Sequence, residues 1–203
     1  MSQRRITAAL FTLLAGAALL GCGSDQGSVS SAPPAHVRPT TAAPTLPAAA
    51  VRPMVASKPV RVRIASAGVD TGPVLELGLA ADGTVEVPSV AQADRIGWYD
   101  KGVTPGETGP AVLIGHFDTD KGPAVLKNVA RIKAGDAITV FRADGTTADF
   151  RVREIEQVSK KAFPTKKVYG DTTRPELRLI TCGGDLTDGH RPDNIILYAD
   201  LMT

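Results

Sequence analysis

The chain is short of cysteine, aromatic residues and clustered positive charge, and each shortage excludes something. Its 203 residues include two cysteines, five Phe, three Tyr and one Trp. Cys22 ends an apolar leader and Cys182 stands alone far down the chain. The folded part therefore carries one thiol without a disulfide partner, which rules out a cystine-stapled scaffold. Beyond residue 59 the chain has 18 basic residues against 20 acidic ones. A domain of that balance presents no clustered basic face, so nucleic acid is not an expected partner. Asp118, Asp120, Asp185 and Asp188 lack the spacing of a dedicated Ca²⁺ loop, and we expect no metal and no cofactor. Internal repeats are missing too, which leaves one domain rather than an array.

What is present begins with an export signal over residues 1–22. Arg4 and Arg5 precede an uncharged apolar stretch from Ile6 to Leu20, closed by Gly21 and Cys22. The stretch is short for a membrane span, which needs about 20 apolar residues, and suits a cleaved signal. Leu19-Leu20-Gly21-Cys22 resembles a bacterial lipobox, with Cys22 as the acylated residue; an ordinary signal peptide with an incidental Cys22 is the other reading. Residues 23–59 then shift to Ala, Pro, Ser and Thr, with Pro33, Pro34, Pro39, Pro44, Pro47 and Pro53 in no regular period. Too little apolar area is available there to offset ordering, so we expect a disordered, semi-extended linker with His36 solvated.

Residues 60–203 read as short strands between turn signals. Val60–Ile64 alternates with period two. Val74–Leu77, Asp82-Gly83 and Val85–Pro88 carry a hairpin signal. Ala111–Ile114 is a continuous apolar run, as in a strand buried on both faces. Ala137–Phe141 and Ala148–Ile155 flank Asp144-Gly145, a second hairpin signal. Ile96–Tyr99, Leu177–Thr181 and Ile195–Ala199 complete the strands, and short helical turns are expected over 89–94 and 124–130. Many short strands with Gly and Pro in the turns predict an all-β fold, a barrel in preference to a sandwich.

Gly115-His116-Phe117-Asp118-Thr119 directly follows the apolar run that ends at Ile114. Cys182 occupies the same kind of place, after Leu179-Ile180-Thr181 and before Gly183-Gly184. Strand ends are where such folds expose functional groups. A histidine and a cysteine so placed predict a nucleophile and its proton partner on one rim of the sheet. The other reading makes His116 a packed loop residue and Cys182 a small buried hydrophobe.

Residues 111–119 (AVLIGHFDT) and 177–184 (LRLITCGG) together resemble the sortases, cysteine transpeptidases of Gram-positive surfaces, most of all actinobacterial class F or the neighbouring class E. Gly97-Trp98-Tyr99, the 105–110 stretch, Gly122 to Leu126, Gly135-Asp136, Phe163-Pro164-Thr165, Val168-Tyr169-Gly170 and Asp193 to Ala199 follow in the family's order, so the likeness spans nearly all of residues 60–203. It implies a closed, mainly eight-stranded β-barrel with one or two short helices. By resemblance Cys182 is the nucleophile that attacks the Thr–Gly bond of a C-terminal Leu-Pro-x-Thr-Gly sorting signal. His116 protonates the departing amine, then takes a proton from the incoming one. The implied partners are surface proteins with that signal, a peptidoglycan-precursor amine as acceptor, and the membrane through the N-terminal anchor. The implied place is the actinobacterial cell envelope, with the enzyme a monomer.

The chemistry also asks for a cation that favours thiolate and a donor aimed at the oxyanion. In the family an arginine near the start of the last strand supplies it. Arg191 is our choice, although it stands nine residues after Cys182 and several before the strand; its alternative is a loop pairing with Asp188 or Asp193. Asn194 and Arg178 remain contenders, the latter four residues before Cys182 and so on its strand face. His190, beside Arg191 and Pro192, reads as a solvated or substrate-lining residue, and Trp98 and Tyr99 as core and rim. A thiol peptidase that passes the acyl group to water would use the same residues. A lipoprotein that only binds peptides or wall fragments would use none of them.

Overall fold

The computed structural model describes residues 35–41 and 51–202. The leader with Cys22, and residues 23–34 and 42–50 of the expected linker, lie outside the described residues. Strands β1 (Thr40–Thr41), β2 (Pro59–Ile64), β3 (Val69–Thr71), β4 (Leu75–Leu77), β5 (Ile96–Tyr99) and β6 (Gly109–Gly115) come first. They are followed by β7 (Asp118–Thr119), β8 (Gly122–Pro123), β9 (Ala137–Arg142), β10 (Thr147–Ser159), helix α1 (Thr165–Tyr169), β11 (Pro175–Gly183) and β12 (Asp193–Leu201). One sheet runs in the order β3-β2-β9-β10-β12-β11-β6-β5-β4, with β1 added on β10. This is the all-β, barrel-type architecture expected from the strand pattern. Near the ends of the path the chain closes on itself through single contacts: Val74 N donates to Val60 O at 3.1 Å, and Lys58 pairs with Glu76 at 2.8 Å.

The pairing follows the residue pattern closely at the centre. Every residue of β6 is buried, as its unbroken apolar run requires. Odd positions of β11, Leu177 and Leu179, face an inner core shared with Val62, Ile64, Leu113, Phe150 and Leu197. Its even position Ile180 faces an outer cluster with Val112, Ile114, Ile196 and Tyr198, roofed by Val168 of α1. Burying each such side chain contributes roughly 1.5–3 kcal/mol, so both faces of these strands hold the fold. The Asp144-Gly145 hairpin forms as expected, with Gly145 at φ 81° and Thr147 opposite Phe141.

Two local expectations change. The arms around Asp82-Gly83 meet only near the turn, through the Leu79–Val85 bridge with Ala80 N on Thr84 O and Glu86 N on Gly78 O, and β4 instead pairs in parallel with β5. Gly97 permits this, because a Cβ there would lie within 3.0 Å of three Leu77 side-chain carbons, and Pro88 ends the other arm by lacking an N–H. The helical turns over 89–94 and 124–130 shrink to three-residue 3₁₀ turns at Val90–Gln92 and Val129–Arg131. The one α-helix among the described residues follows Pro164, whose carbonyl accepts from Val168 N at 3.0 Å.

Packed chain also begins ahead of residue 60. Met54 N donates to Gly106 O at 2.8 Å and Ser57 N to Thr104 Oγ1 at 2.9 Å. The buried Arg142 guanidinium donates to Val55 O.

Candidate active site

Strands β6 and β11 are parallel neighbours, with Leu179 opposite Leu113 and Ile180 opposite Ile114. Parallel strands point their C-terminal ends the same way. Cys182 and His116 each stand two residues beyond that last pair, at the same end of strands that run roughly 4.8 Å apart. The antiparallel neighbour β12 places Ile196 opposite Ile180 and Asn194 opposite Cys182. Ile114, Ile180 and Ile196 form one row across the three strands, and Cys182 lies beyond it with Asn194 opposite. The predicted histidine and cysteine, 66 residues apart in the chain, thus follow the C-terminal ends of neighbouring parallel strands.

Each member is held from below. At Gly115 a Cβ would meet Leu126 Cδ1 and Val125 Cγ1 at 3.0 Å, so glycine lets the strand end seat against the core. His116 O accepts from Leu126 N at 2.9 Å, and His116 Nε2 lies 2.6 Å from Pro88 O. A carbonyl only accepts, so Nε2 carries the proton and Nδ1 is the acceptor in the neutral ring. Pro88 also lines a groove of about 620 Å³ with Leu75, Leu77, Val85 and Val87. Cys182 is a half-buried free thiol in contact with the edge of the inner core. Gly184 follows it at φ 83°, and its N–H donates to Ala35 O at 2.9 Å.

Arg191 reaches back across the site. Its Nε lies 3.0 and 2.9 Å from the two Asp118 carboxylate oxygens, and its Nη2 lies 2.6 Å from Oδ2. Nη1 donates to Gly184 O, and the guanidinium carbon stands 4.5 Å over the Phe117 ring. The loop pairing considered from sequence, with Asp188 or Asp193, is not the one formed. Asp188 and Gly189 take φ values of 50° and 75°, and Thr187 and His190 exchange main-chain bonds of 2.8 and 2.9 Å around them. That tight hairpin turns the loop back toward Asp118. Asp-Gly is a turn signal legible in the sequence, whereas the carboxylate it delivers Arg191 to has no local signature.

Arg178 is elsewhere. Four residues from Cys182 along an extended strand is about 13 Å. Its buried guanidinium pairs with Glu176 at 2.8 Å, donates to Lys167 O at 3.4 Å and lies 4.9 Å from the Tyr198 ring centroid. It ties α1 to the sheet. His190 is exposed on the hairpin flank. Trp98 is core, its Nε1 donating to Val103 O at 3.0 Å, and Tyr99 is at the rim, 6.2 Å from the Tyr169 ring.

The sequence reading did not foresee that residues 35–41 lie along the domain. His36 is exposed, as expected, but also bonded: Nε2 lies 2.9 Å from Asp185 Oδ1 and Nδ1 lies 3.2 Å from Gln157 Nε2. Val37 N donates to Gln157 Oε1 at 3.0 Å, and Thr40 and Thr41 pair with Ile155 and Glu154 of β10.

Comparison with known proteins agrees with this fold. The sequence matches the sortase domain family over residues 62–202. No curated relative matches the chain. In three dimensions it is similar to sortase C-1 of Actinomyces oris, at 22% identity and TM-score 0.54, over 72% of this chain and 76% of that one. It is also similar to a Clostridium perfringens sortase D5 transpeptidase, at 19% and 0.52, over 72% and 79%. Streptococcus agalactiae sortase C1 in complex with MTSET aligns at 15% and 0.55, over 72% and 70%. At these identities the likeness is one of fold. The family match covers most of the sequence, and the chain belongs to the sortases, the cysteine transpeptidases.

Proposed function

We propose that this sortase cleaves a C-terminal Leu-Pro-x-Thr-Gly type signal between Thr and Gly and transfers the acyl part to an amine of the cell wall. The observation that carries this reading is that His116 directly follows β6 while Cys182, with Asn194 opposite it, stands at the same end of the neighbouring β11. The Cys182 thiol gives its proton to His116 as its sulfur adds to the Thr carbonyl, and the carbon–nitrogen bond to Gly breaks. His116 passes that proton to the leaving amine and a thioester remains on sulfur. An incoming amine then loses a proton to His116 as it attacks the thioester, and His116 returns it to the departing sulfur, which regenerates the thiol. Arg191 is the proposed oxyanion donor, since its loop overhangs Gly184, while Asn194 is the rival placed opposite Cys182.

The motif residues favour the class F or class E branch. The leader reading makes the enzyme a Gram-positive, actinobacterial envelope lipoprotein anchored through Cys22, acting as a monomer with no metal or cofactor. Mass spectrometry of the enzyme with a Leu-Pro-x-Thr-Gly peptide tests the chemistry. The expected result is an acyl adduct on Cys182, missing in Cys182→Ala and strongly reduced in His116→Ala. Peptide cleavage that persists in Cys182→Ala would sink it. Product analysis with and without an amine acceptor separates transfer from hydrolysis.

A further inference from the structure

We propose that Asp118 is a positioning residue of this enzyme, fixing the Arg191 guanidinium, and with it the 184–191 loop, against Gly184, two residues past Cys182. The inference rests on the reading of Arg191 as the oxyanion donor and asks what puts that donor in place.

The 184–191 loop has little of its own to hold it. Residues 185–190 are exposed, and their main-chain bonds are internal, between Thr187 and His190. Among the described residues, two side chains bond from the loop to the body: Asp185, to the exposed His36, and Arg191. Arg191 is the firmer tie. It is partly buried, and both oxygens of one carboxylate grip its Nε and Nη2. Fork-on-fork contacts of this kind fix direction as well as distance.

The other half of the tie is rigid. Asp118 lies two residues after His116 and opens β7, opposite Pro123 on β8. Phe117 O accepts from Ala124 N at 2.9 Å, and Phe117 itself is buried in the core beneath the guanidinium. The residue that delivers the imidazole and the one that anchors the arginine therefore share one braced segment. A shift of either would move both.

The donor count leaves room for the proposed role. A guanidinium has five N–H groups. Asp118 and Gly184 O take one each from Nε, Nη2 and Nη1, which leaves one N–H on each terminal nitrogen. Asp118 thus orients Arg191 without exhausting it. Removing the carboxylate frees the side chain to swing, and a displacement of about 1 Å is enough to cost ~10²-fold in rate.

The test compares wild type, Asp118→Ala, Asp118→Asn, Arg191→Ala and the Asp118→Ala/Arg191→Ala double variant, on the Leu-Pro-x-Thr-Gly peptide that wild type turns over fastest. Thermal midpoints accompany the rates. Arg191→Ala should lose ~10²–10³-fold in kcat. Asp118→Ala should lose roughly 10–100-fold, mainly in kcat. In the Arg191→Ala background the Asp118 change should add less than about twofold, because two groups acting as one are not additive. A purely structural role would give multiplying losses instead. The NMR signal of Arg191 Nε–H should be protected from solvent exchange in wild type and lose that protection in Asp118→Ala, with no substrate present. Asp118→Asn, close in shape, carries the same decision if the alanine variant folds poorly. Wild-type kcat in Asp118→Asn, or additive losses in the double variant, would overturn the positioning role while a slow Arg191→Ala left the donor reading standing. An Arg191→Ala enzyme at wild-type rate would sink both.

Discussion

Gly115 shows how one missing side chain sets the candidate imidazole. A Cβ there would stand 3.0 Å from Leu126 and Val125 and 3.3 Å from Ile96, all on elements packed around the end of β6. Leu126 and Ile96 are fully buried and have no solvent to move into. The strand end would have to lift, and His116 with it. Gly115→Ala should therefore cost about 1–3 kcal/mol of stability and lower turnover by ~10-fold or more, read from the urea midpoint and from kcat. A variant that melts early but turns over normally would show that the imidazole is placed by Pro88 O rather than by the strand. The pattern Gly-His after an apolar run was legible in the sequence. The reason for the glycine was not, because Leu126 and Val125 arrive from a loop ten residues downstream.

At the scale of elements, the long strand β10 has two unlike halves. Its first half pairs with β9 up to Arg151, and beyond that point the edge on that side is left to β1. An uncovered edge is a hazard, and Thr40-Thr41 caps it. The same segment then reaches the loop after Cys182 through Ala35 O on Gly184 N, with Gln157 bonding both Val37 N and His36. Gln157→Ala removes two of these supports. At 0.5–1.5 kcal/mol each, their loss should raise amide exchange at Gly184 by about tenfold, as followed by hydrogen–deuterium exchange, with Phe150 in the core unchanged. Unaltered exchange at Gly184 would mean that Ala35 holds its place without Gln157. Composition described residues 23–59 as a linker because Pro, Ala, Ser and Thr carry no apolar periodicity. The contacts of 35–41 are mostly main-chain bonds, which composition does not encode.

Taken whole, the molecule relies on a charged cluster on the outer face of β10, β11 and β12. Glu176 is buried and meets Arg153 and Arg178 at 2.8 Å and Arg174 at 3.1 Å. Burial acts to raise its carboxyl, but the arginine partners outweigh it and hold it below the ordinary value of 4.5. Glu156 behaves alike, with burial opposed by Lys167 and the Tyr198 hydroxyl. Both groups take up protons more readily unfolded than folded. Their stabilisation is therefore complete above the unfolded value and is lost as pH falls through the depressed folded values. The urea midpoint should drop steeply below about pH 4.5. Glu176→Gln should flatten that acid limb while costing ~3 kcal/mol at neutral pH, since it leaves the buried Arg178 guanidinium without its counter-charge. An acid limb unchanged by Glu176→Gln would place the acid sensitivity elsewhere.

What the amino-acid order determined on its own is local. Period-two runs, Asp-Gly turns and the two strand endings, Gly-His and Thr-Cys, are short-range patterns, written within a few residues and legible there. Motif order along the chain was enough to point to the sortases before any coordinate. Tertiary structure alone decided the parallel pairing that ends β6 and β11 on the same side, the docking of residues 35–41, the burial of Arg178 four residues from Cys182, and the clasp between Asp118 and Arg191, 73 residues apart. The physical reason is the same in each case. These are contacts between groups far apart in the chain, selected by which surfaces pack when the sheet curls, and no spacing along the polymer records which distant partner a side chain will meet.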